Sequence, residues 1–221
     1  MNVFEILSLY RGQLWEGLKV TLQLCLIVYP IGIILGSFFG IARHKWKKFI
    51  GIPGSFISVI ISSTPILVLL FWLHYPLQYM MGIVVDPFIT SVVALGLVMT
   101  VIISEQVRHA LADFPKQYIL SARACGLTSS QIVRKIQIPI LFRQMMPNIL
   151  FAMITILQAS LFTSMIGLNE IFRTAQQINS NIYRPVEIYT SLAVFFVIVC
   201  ALLSILALWL KTRLKWTLSE I

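Results

Sequence analysis

SARACGLTSSQIVRKIQIPILFRQMMP, residues 121–147, lies in the middle of a chain of 221 residues that is 58% hydrophobic. It carries Arg123, Arg134, Lys135 and Arg143 and no acidic side chain. Its punctuation is ordered. Asp113 followed by Pro115 marks a helix start just upstream. Leu120, Ala124 and Leu127 recur at helical spacing, and Gly126 stands where a glycine would end that helix in a left-handed turn. Thr128 and Gln131 have capping-box spacing, so a second helix is predicted at once. Ile132, Val133 and Ile136 give it an apolar face, with Arg134 and Lys135 pointing elsewhere, and Pro139 is predicted to stop it. The segment reads as helix, glycine hinge, helix. Small Ser121, Ala122 and Ala124 before the hinge would let another surface approach the backbone closely.

The flanks explain why such an insert is needed. Only 11% of residues are charged and the mean hydropathy is +0.89, more apolar material than a soluble core of this size uses. Lipid is the solvent such a composition fits. A helix crosses the hydrocarbon core with about 20 apolar residues. Residues 20–42, 49–85, 144–169 and 188–210 contain no Asp, Glu, Lys or Arg, and 87–104 is a shorter, nearly all-apolar run. The fold class expected is an all-α integral membrane protein with about five transmembrane helices, near 18–42, 52–74, 87–107, 147–168 and 187–210. They form one domain over 18–215, after an external segment 1–17 and before a tail 216–221.

Charge sets the predicted orientation. With the N-terminus outside, only Arg11, Lys19, Arg173 and Arg184 of the 17 basic residues fall on the outer side. The rest fall inside, among them Arg43, Lys45, Lys47 and Lys48, so the positive-inside rule places 108–146 and the C-terminus in the cytoplasm. Residues 1–19 lack a basic start followed by an apolar core, so no cleaved leader is expected. The net charge of +9 is accounted for by this asymmetry, and no nucleic-acid partner is expected. Cys25, Cys125 and Cys200 lack metal spacing, as do His44, His74 and His109, so no metal or haem is expected. There is no G-x-x-x-x-G-K-[ST], so the chain is not expected to bind ATP, and no nucleophile, base and orienter set appears.

Three readings of the insert compete. A solvated basic loop explains the arginines but not the caps and hinge. A DNA-binding helix-turn-helix would use similar pieces, yet this one is tied to membrane at both ends and offers few base-reading side chains. A docking element for a cytoplasmic protein fits best. Within the spans, Glu105 and Arg108 are spaced for a same-face ion pair, read either as a cytoplasmic gate or coupling anchor, or as an interfacial pair that sets helix depth. Thr64-Pro65 would break the backbone ladder of the second span and expose groups for a polar solute, or serve packing. Gln158, Ser160 and Ser164 either line a path, with the serines on one face at i, i+4, or hydrogen-bond between helices. Gly32, Gly36 and Gly40 are a small-xxx-small packing stripe, and His74 an interfacial polar residue.

The ordered motifs resemble a family. S-A-R-A-C-G-L (121–127) followed by Ile138-Pro139 is similar to the EAA signature of bacterial ABC importer permeases, E-A-A, three residues, G, then I-x-L-P. Ser62-Ser63-Thr64-Pro65 is similar to the R-G-T-P of the polar amino acid subfamily (His, Glu, Gln, Arg, opine). Ser104-Glu105-Gln106-Val107-Arg108 is similar to its S-E-x-x-R, Ile138-Pro139 through Pro147-Asn148 to L-P-x-A-x-x-x-x-x-P, and Gln158 to Gly167 to K-D-T-S-L-x-S-x-I-G. The order and spacing hold over roughly residues 17–210.

The resemblance implies the type I ABC importer permease arrangement in the bacterial inner (cytoplasmic) membrane. It implies a subunit that is not itself an enzyme and that translocates a polar amino acid or related solute by alternating access. Two cytoplasmic ATP-binding subunits would carry ATP and Mg, with no cofactor on this chain. A second permease subunit, the same chain or a paralogue, would complete the pore, and an extracytoplasmic solute-binding protein would deliver the solute. Leu120, Ser121, Ala122, Arg123, Gly126 and Pro139 would form the coupling segment that docks on the ATPase. Leu120 stands where the signature has Glu and Ser121 where it has the first Ala. Ser62 replaces an Arg, and Gln158-Ala159 replace a Lys-Asp pair. The missing charges keep a rival in view: a membrane scaffold or assembly subunit that docks a partner and transports nothing.

Overall fold

The computed structural model describes residues 3–216, all of whose regular elements are helical. Residues 217–221 of the expected tail lie outside the described residues. A short α1 (Val3–Leu9) leads into α2 (Arg11–Lys45), so regular helix begins well inside the segment 1–17 expected as an external lead. Next come α3 (Ile52–Ser63), entered through a wide turn at Lys47–Gly51, then α4 (Ile66–His74) and α5 (Pro76–Met81). The long α6 (Pro87–Ala112) is followed by α7 (Lys116–Ala124) and α8 (Ser129–Ile132). The chain finishes with α9 (Ile138–Ala159), α10 (Ile171–Ile182) and α11 (Pro185–Trp216).

Helix α6 is the axis of the core. Asp86 caps it by accepting from the Phe88 N–H at 2.7 Å, with Pro87 in the first turn, where its lack of an N–H costs nothing. Leu95, Met99 and Ile103 of α6 are fully buried against Leu24 and Val28 of α2 and Ile156 of α9. The glycine stripe lets α2 come close. A Cβ on Gly36 would lie 2.8 Å from the Thr100 carbonyl oxygen, and one on Gly40 2.7 Å from that of Ser104. Both obstacles are backbone, so the helices would have to separate. Gly36→Ala is expected to lower stability by about 1–3 kcal/mol, read as a lower melting temperature of the purified protein.

Two spans differ from expectation. Residues 52–74 are two helices rather than one: Thr64 (φ −84°, ψ 124°) and Pro65 (φ −56°, ψ 135°) are extended between α3 and α4. Proline pushes its predecessor out of the helical region and cannot donate to the ladder, so the helix ends there. The halves Lys47–Ser63 and Ile66–Met81 meet at 99°. Among the described residues, four helices are long and apolar enough to cross a membrane, and the bent pair makes a fifth if it counts as one span. In the other case, Pro139 does not stop the second insert helix, and the helix that carries the fourth span begins well before 147. Helix runs from Ser129 to Ile166, with Pro147 inside it. Pro139 would clash with the carbonyl of the residue four before it. The wide π-type turn at Val133–Gln137, where Ile138 N–H donates to the Val133 carbonyl, makes room.

Helix α10 was not foreseen. Ile171, Ala175 and Ile178 form its buried stripe, and Ile6 and Ile188 pack in the same cluster. Glu170 caps it, accepting from the N–H groups of Phe172 (2.9 Å) and Arg173 (2.8 Å). Burial pushes this carboxyl up to about 7, although both backbone donors and the Arg173 charge pull it down. Because the folded value lies above the ordinary carboxylate one, the group favours folding below about pH 4.3 and loses that contribution as pH rises through about 7. The melting temperature of the wild type is expected to fall between pH 5 and 8 relative to Glu170→Gln. Parallel curves would refute this.

Candidate functional site

The hinge forms by local chemistry alone. Helix α7 ends in a Schellman turn: Gly126 sits at φ +78°, its N–H donates to the Arg123 carbonyl at 2.9 Å, and Leu127 N–H donates to that of Ala122 at 3.1 Å. The capping box follows, with Thr128 N–H donating to Gln131 Oε1 (2.9 Å) and Gln131 N–H donating to Thr128 Oγ1 (3.4 Å). Asp113, read as the start of the first insert helix, instead caps the end of α6, and α7 begins at Lys116 behind Pro115. The inner side of the hairpin buries Phe114, Ala122 and Ile132. Its outer side leaves Leu120 (63% exposed), Ser121, Arg123, Cys125 and Gly126 open. No acidic residue occurs from 114 to 169, so this knob is basic and unneutralised by its own sequence. Pro139, grouped with the hinge from sequence, is an exposed residue of the long helix behind it. The knob is joined directly to a helix that runs without interruption to Ile166.

Behind the knob lies an ion cluster of which the sequence showed only half. Glu105 and Arg108 do pair, with Arg108 Nε donating to Glu105 Oε2 at 2.9 Å. The other carboxylate oxygen accepts from Arg43 Nη2 at 2.8 Å. Arg43, counted above among the inner charges, is 3% exposed. Its guanidinium also donates to Ser58 (3.0 Å), Ser104 (3.1 Å) and Ser55 (2.9 Å). The cluster therefore ties the ends of α2 and α6 to α3. A signal existed in Gly51, Gly54, Ser55 and Ser58, small residues at helical spacing. A Cβ on Gly54 would lie 2.9 Å from Arg43 Cδ.

The five path residues fall at two places in the fold, the break after α3 and the end of α9 with the turn that follows it. Thr64 and Pro65 sit at the break, with Thr64 Oγ1 donating to the Ile60 carbonyl at 2.8 Å. Helix α4, which starts there, packs on the segment 160–166. That segment is a 3₁₀-helix, with three residues per turn, so Ser160 and Ser164 do not share a face. Both are buried and donate to carbonyls of their own helix, Leu157 and Leu161, at 2.7 Å. Gln158 is exposed and reaches Cys200 of α11, Nε2 to Sγ 3.7 Å. His74, read as interfacial, bonds Thr90 of α6 at 3.2 Å beside Gln78. Among the described residues no His, Cys, Asp and Glu cluster could hold a metal ion.

Among the described residues, four or five apolar helical spans, a broken second span and a capped basic knob between the third and fourth define a polytopic membrane protein. Residues 30–216 match the family described as the binding-protein-dependent transport system inner membrane component, and the chain belongs to that family. It is thus a transmembrane permease subunit of a bacterial ABC importer, an inner-membrane component without catalysis of its own. Among its relatives, the glutamate/aspartate import permease protein GltJ of Escherichia coli (strain K12) is 25% identical over 218 residues, covering 93% of this chain and 89% of the relative. The glutamine transport system permease protein GlnP of the same organism is 29% identical over 202 residues, covering 90% and 92%. The fold resembles a solved amino acid ABC transporter with histidines, with a TM-score of 0.86 at 24% identity over 96% of this chain and 99% of that one. These relatives are transport permeases and do not favour the non-transporting scaffold.

Proposed function

We propose that the chain carries a polar amino acid or a closely related solute, and that the knob 116–131 is where an ATPase subunit moves it. The single observation that carries the coupling role is the exposed, acid-free hinge joined directly to a membrane-spanning helix. Leu120, Ser121, Arg123 and Gly126 form the docking surface, with the small, buried Ala122 packed beneath it. Leu120 gives that surface an apolar tip in place of a carboxylate. The amino acid assignment draws on the relatives named for glutamate, aspartate and glutamine.

In this reading the N-terminus lies outside and the C-terminus in the cytoplasm, as the distribution of basic residues favours. Two ATP-binding subunits, with their ATP and Mg, draw two such knobs together. The long helices then rock against the α2–α6 pair, and a central site changes from outward to inward access. A second permease subunit, this chain or a paralogue, completes the pore, and a solute-binding protein loads it. Thr64-Pro65 contributes backbone groups at a break that lipid could not satisfy. Gln158, already exposed at the end of α9, reaches the path directly, whereas Ser160 and Ser164 enter it only if the 3₁₀ segment re-forms during the cycle. Glu105, Arg43 and Arg108 act as the hinge-side gate.

Purification of tagged chain from its native membrane tests this directly. An ATP-binding subunit is expected to come with it. Proteoliposomes of that complex are expected to hydrolyse ATP faster when the loaded binding protein is added. Absence of any ATPase under conditions that keep such complexes intact would overturn the coupling role. Stimulation only by a solute unlike an amino acid would overturn the substrate class alone.

A further inference from the structure

A cavity of about 410 Å³ opens beside the ion cluster, lined among others by Arg43, His44, Lys47, Ser55, Arg108 and Ile52. It holds three fixed cations, Arg43, Lys47 and Arg108, with a histidine beside them. The carboxylate of this region, Glu105, is already shared by Arg43 and Arg108. Among the described residues no carboxylate pairs with Lys47. The buried Arg43 Nε has no hydrogen-bond partner. A site that gathers positive charge at the end of a span, beyond what its own acids neutralise, is built for an anion.

The surroundings say which anion. Phe49 (86% exposed), Ile52 (69%) and Phe56 (69%) stand out on the same stretch of chain. Trp46 is half exposed, with the Lys45 ammonium 5.2 Å from its ring, as in side chains that mark the membrane–water boundary. A cationic recess at that depth, flanked by outward apolar side chains, matches a molecule with a phosphate at one end and hydrocarbon at the other. A free phosphate would satisfy the cations and leave the apolar flank unused.

We infer that this cavity binds the phosphate group of an anionic phospholipid. Lys47, His44 and the accessible edge of Arg108 hold the phosphate, while Ile52, Phe49 and Phe56 carry the acyl chains. The lipid clamps α3 to the ends of α2 and α6 where the chain turns toward the knob. The inference rests on the chain spanning a membrane, and on neither the solute nor the ATPase.

The test uses the full-length chain, purified in detergent and stripped of lipid, with bound lipid counted by mass spectrometry under non-denaturing conditions. Phosphatidylglycerol is expected to bind more tightly than phosphatidylcholine. Binding is expected to weaken about tenfold in Lys47→Gln/His44→Gln and to stay within about twofold in Lys45→Gln, whose side chain lies outside the cavity. An unchanged melting temperature without lipid shows that the variants fold. Equal binding of both lipids, equal binding by wild type and the double variant, or equal loss in Lys45→Gln would each overturn the site. The last would mean diffuse surface attraction. Displacement of the lipid by millimolar inorganic phosphate, with the same stabilisation, would overturn the lipid as its source.

Discussion

Gly126→Trp is expected to abolish recovery of the ATPase subunit with the tagged chain while leaving the chain itself folded. The two effects separate because of where Gly126 stands. A Cβ there meets nothing within 4 Å, so the indole finds space. The left-handed backbone (φ +78°) costs a side chain only about 1–2 kcal/mol. What the indole obstructs is the partner. A bulky side chain at the centre of a small docking surface removes contacts worth about 2–4 kcal/mol, a weakening of about thirtyfold or more. Gly126→Asn separates the causes, since asparagine tolerates the left-handed turn and is short. It is expected to keep most of the binding. Full recovery of ATPase with Gly126→Trp would show that the hinge does not face the partner.

The second large effect lies behind the knob. Glu105→Ala leaves the Arg43 guanidinium, whose side chain is 2% exposed, with serine hydroxyls alone. Removing one member of a buried pair costs about 3–5 kcal/mol. Because the Glu105 side chain is 30% exposed, water reaches part of the gap, and the low end, about 3 kcal/mol, is expected. For a chain of this length that is a fall in melting temperature on the order of 5–10 °C. Arg43→Met/Glu105→Gln removes both charges at similar volume and is expected to recover most of the loss. A double variant as unstable as Glu105→Ala would mean that the packing of Arg43, rather than its charge, holds α3 in place.

Features that depend on neighbouring residues were legible in the sequence. The glycine hinge and the capping box close rings of a few residues, so Gly126, Thr128 and Gln131 announce them without help from the rest of the chain. The glycine stripe of α2 was readable because only a close helix partner explains glycine every fourth residue. The Glu105–Arg108 pair followed from one turn of helix. Features set by distant residues were not legible. Arg43 looked like one more inner cation because nothing at positions 42–48 marks it for burial; Ser104 and Glu105 of α6 do. Pro139 looked like a stop because its clash was visible and the wide turn that relieves it was not. The serines at 160 and 164 depended on a change from 3.6 to three residues per turn, which no side chain nearby dictates.

By itself the sequence determined the solvent of this protein, the number of its apolar segments, the basic insert and the family, since composition and short-range spacing carry all four. Tertiary structure alone decided that the second span breaks through 99°, that the insert and the fourth span are one helix, and that Arg43 is the centre of a buried cluster. In each case the outcome turns on whether a local cost, a proline clash or a buried charge, is met by groups far away in the chain. Those groups become neighbours only when the helices pack.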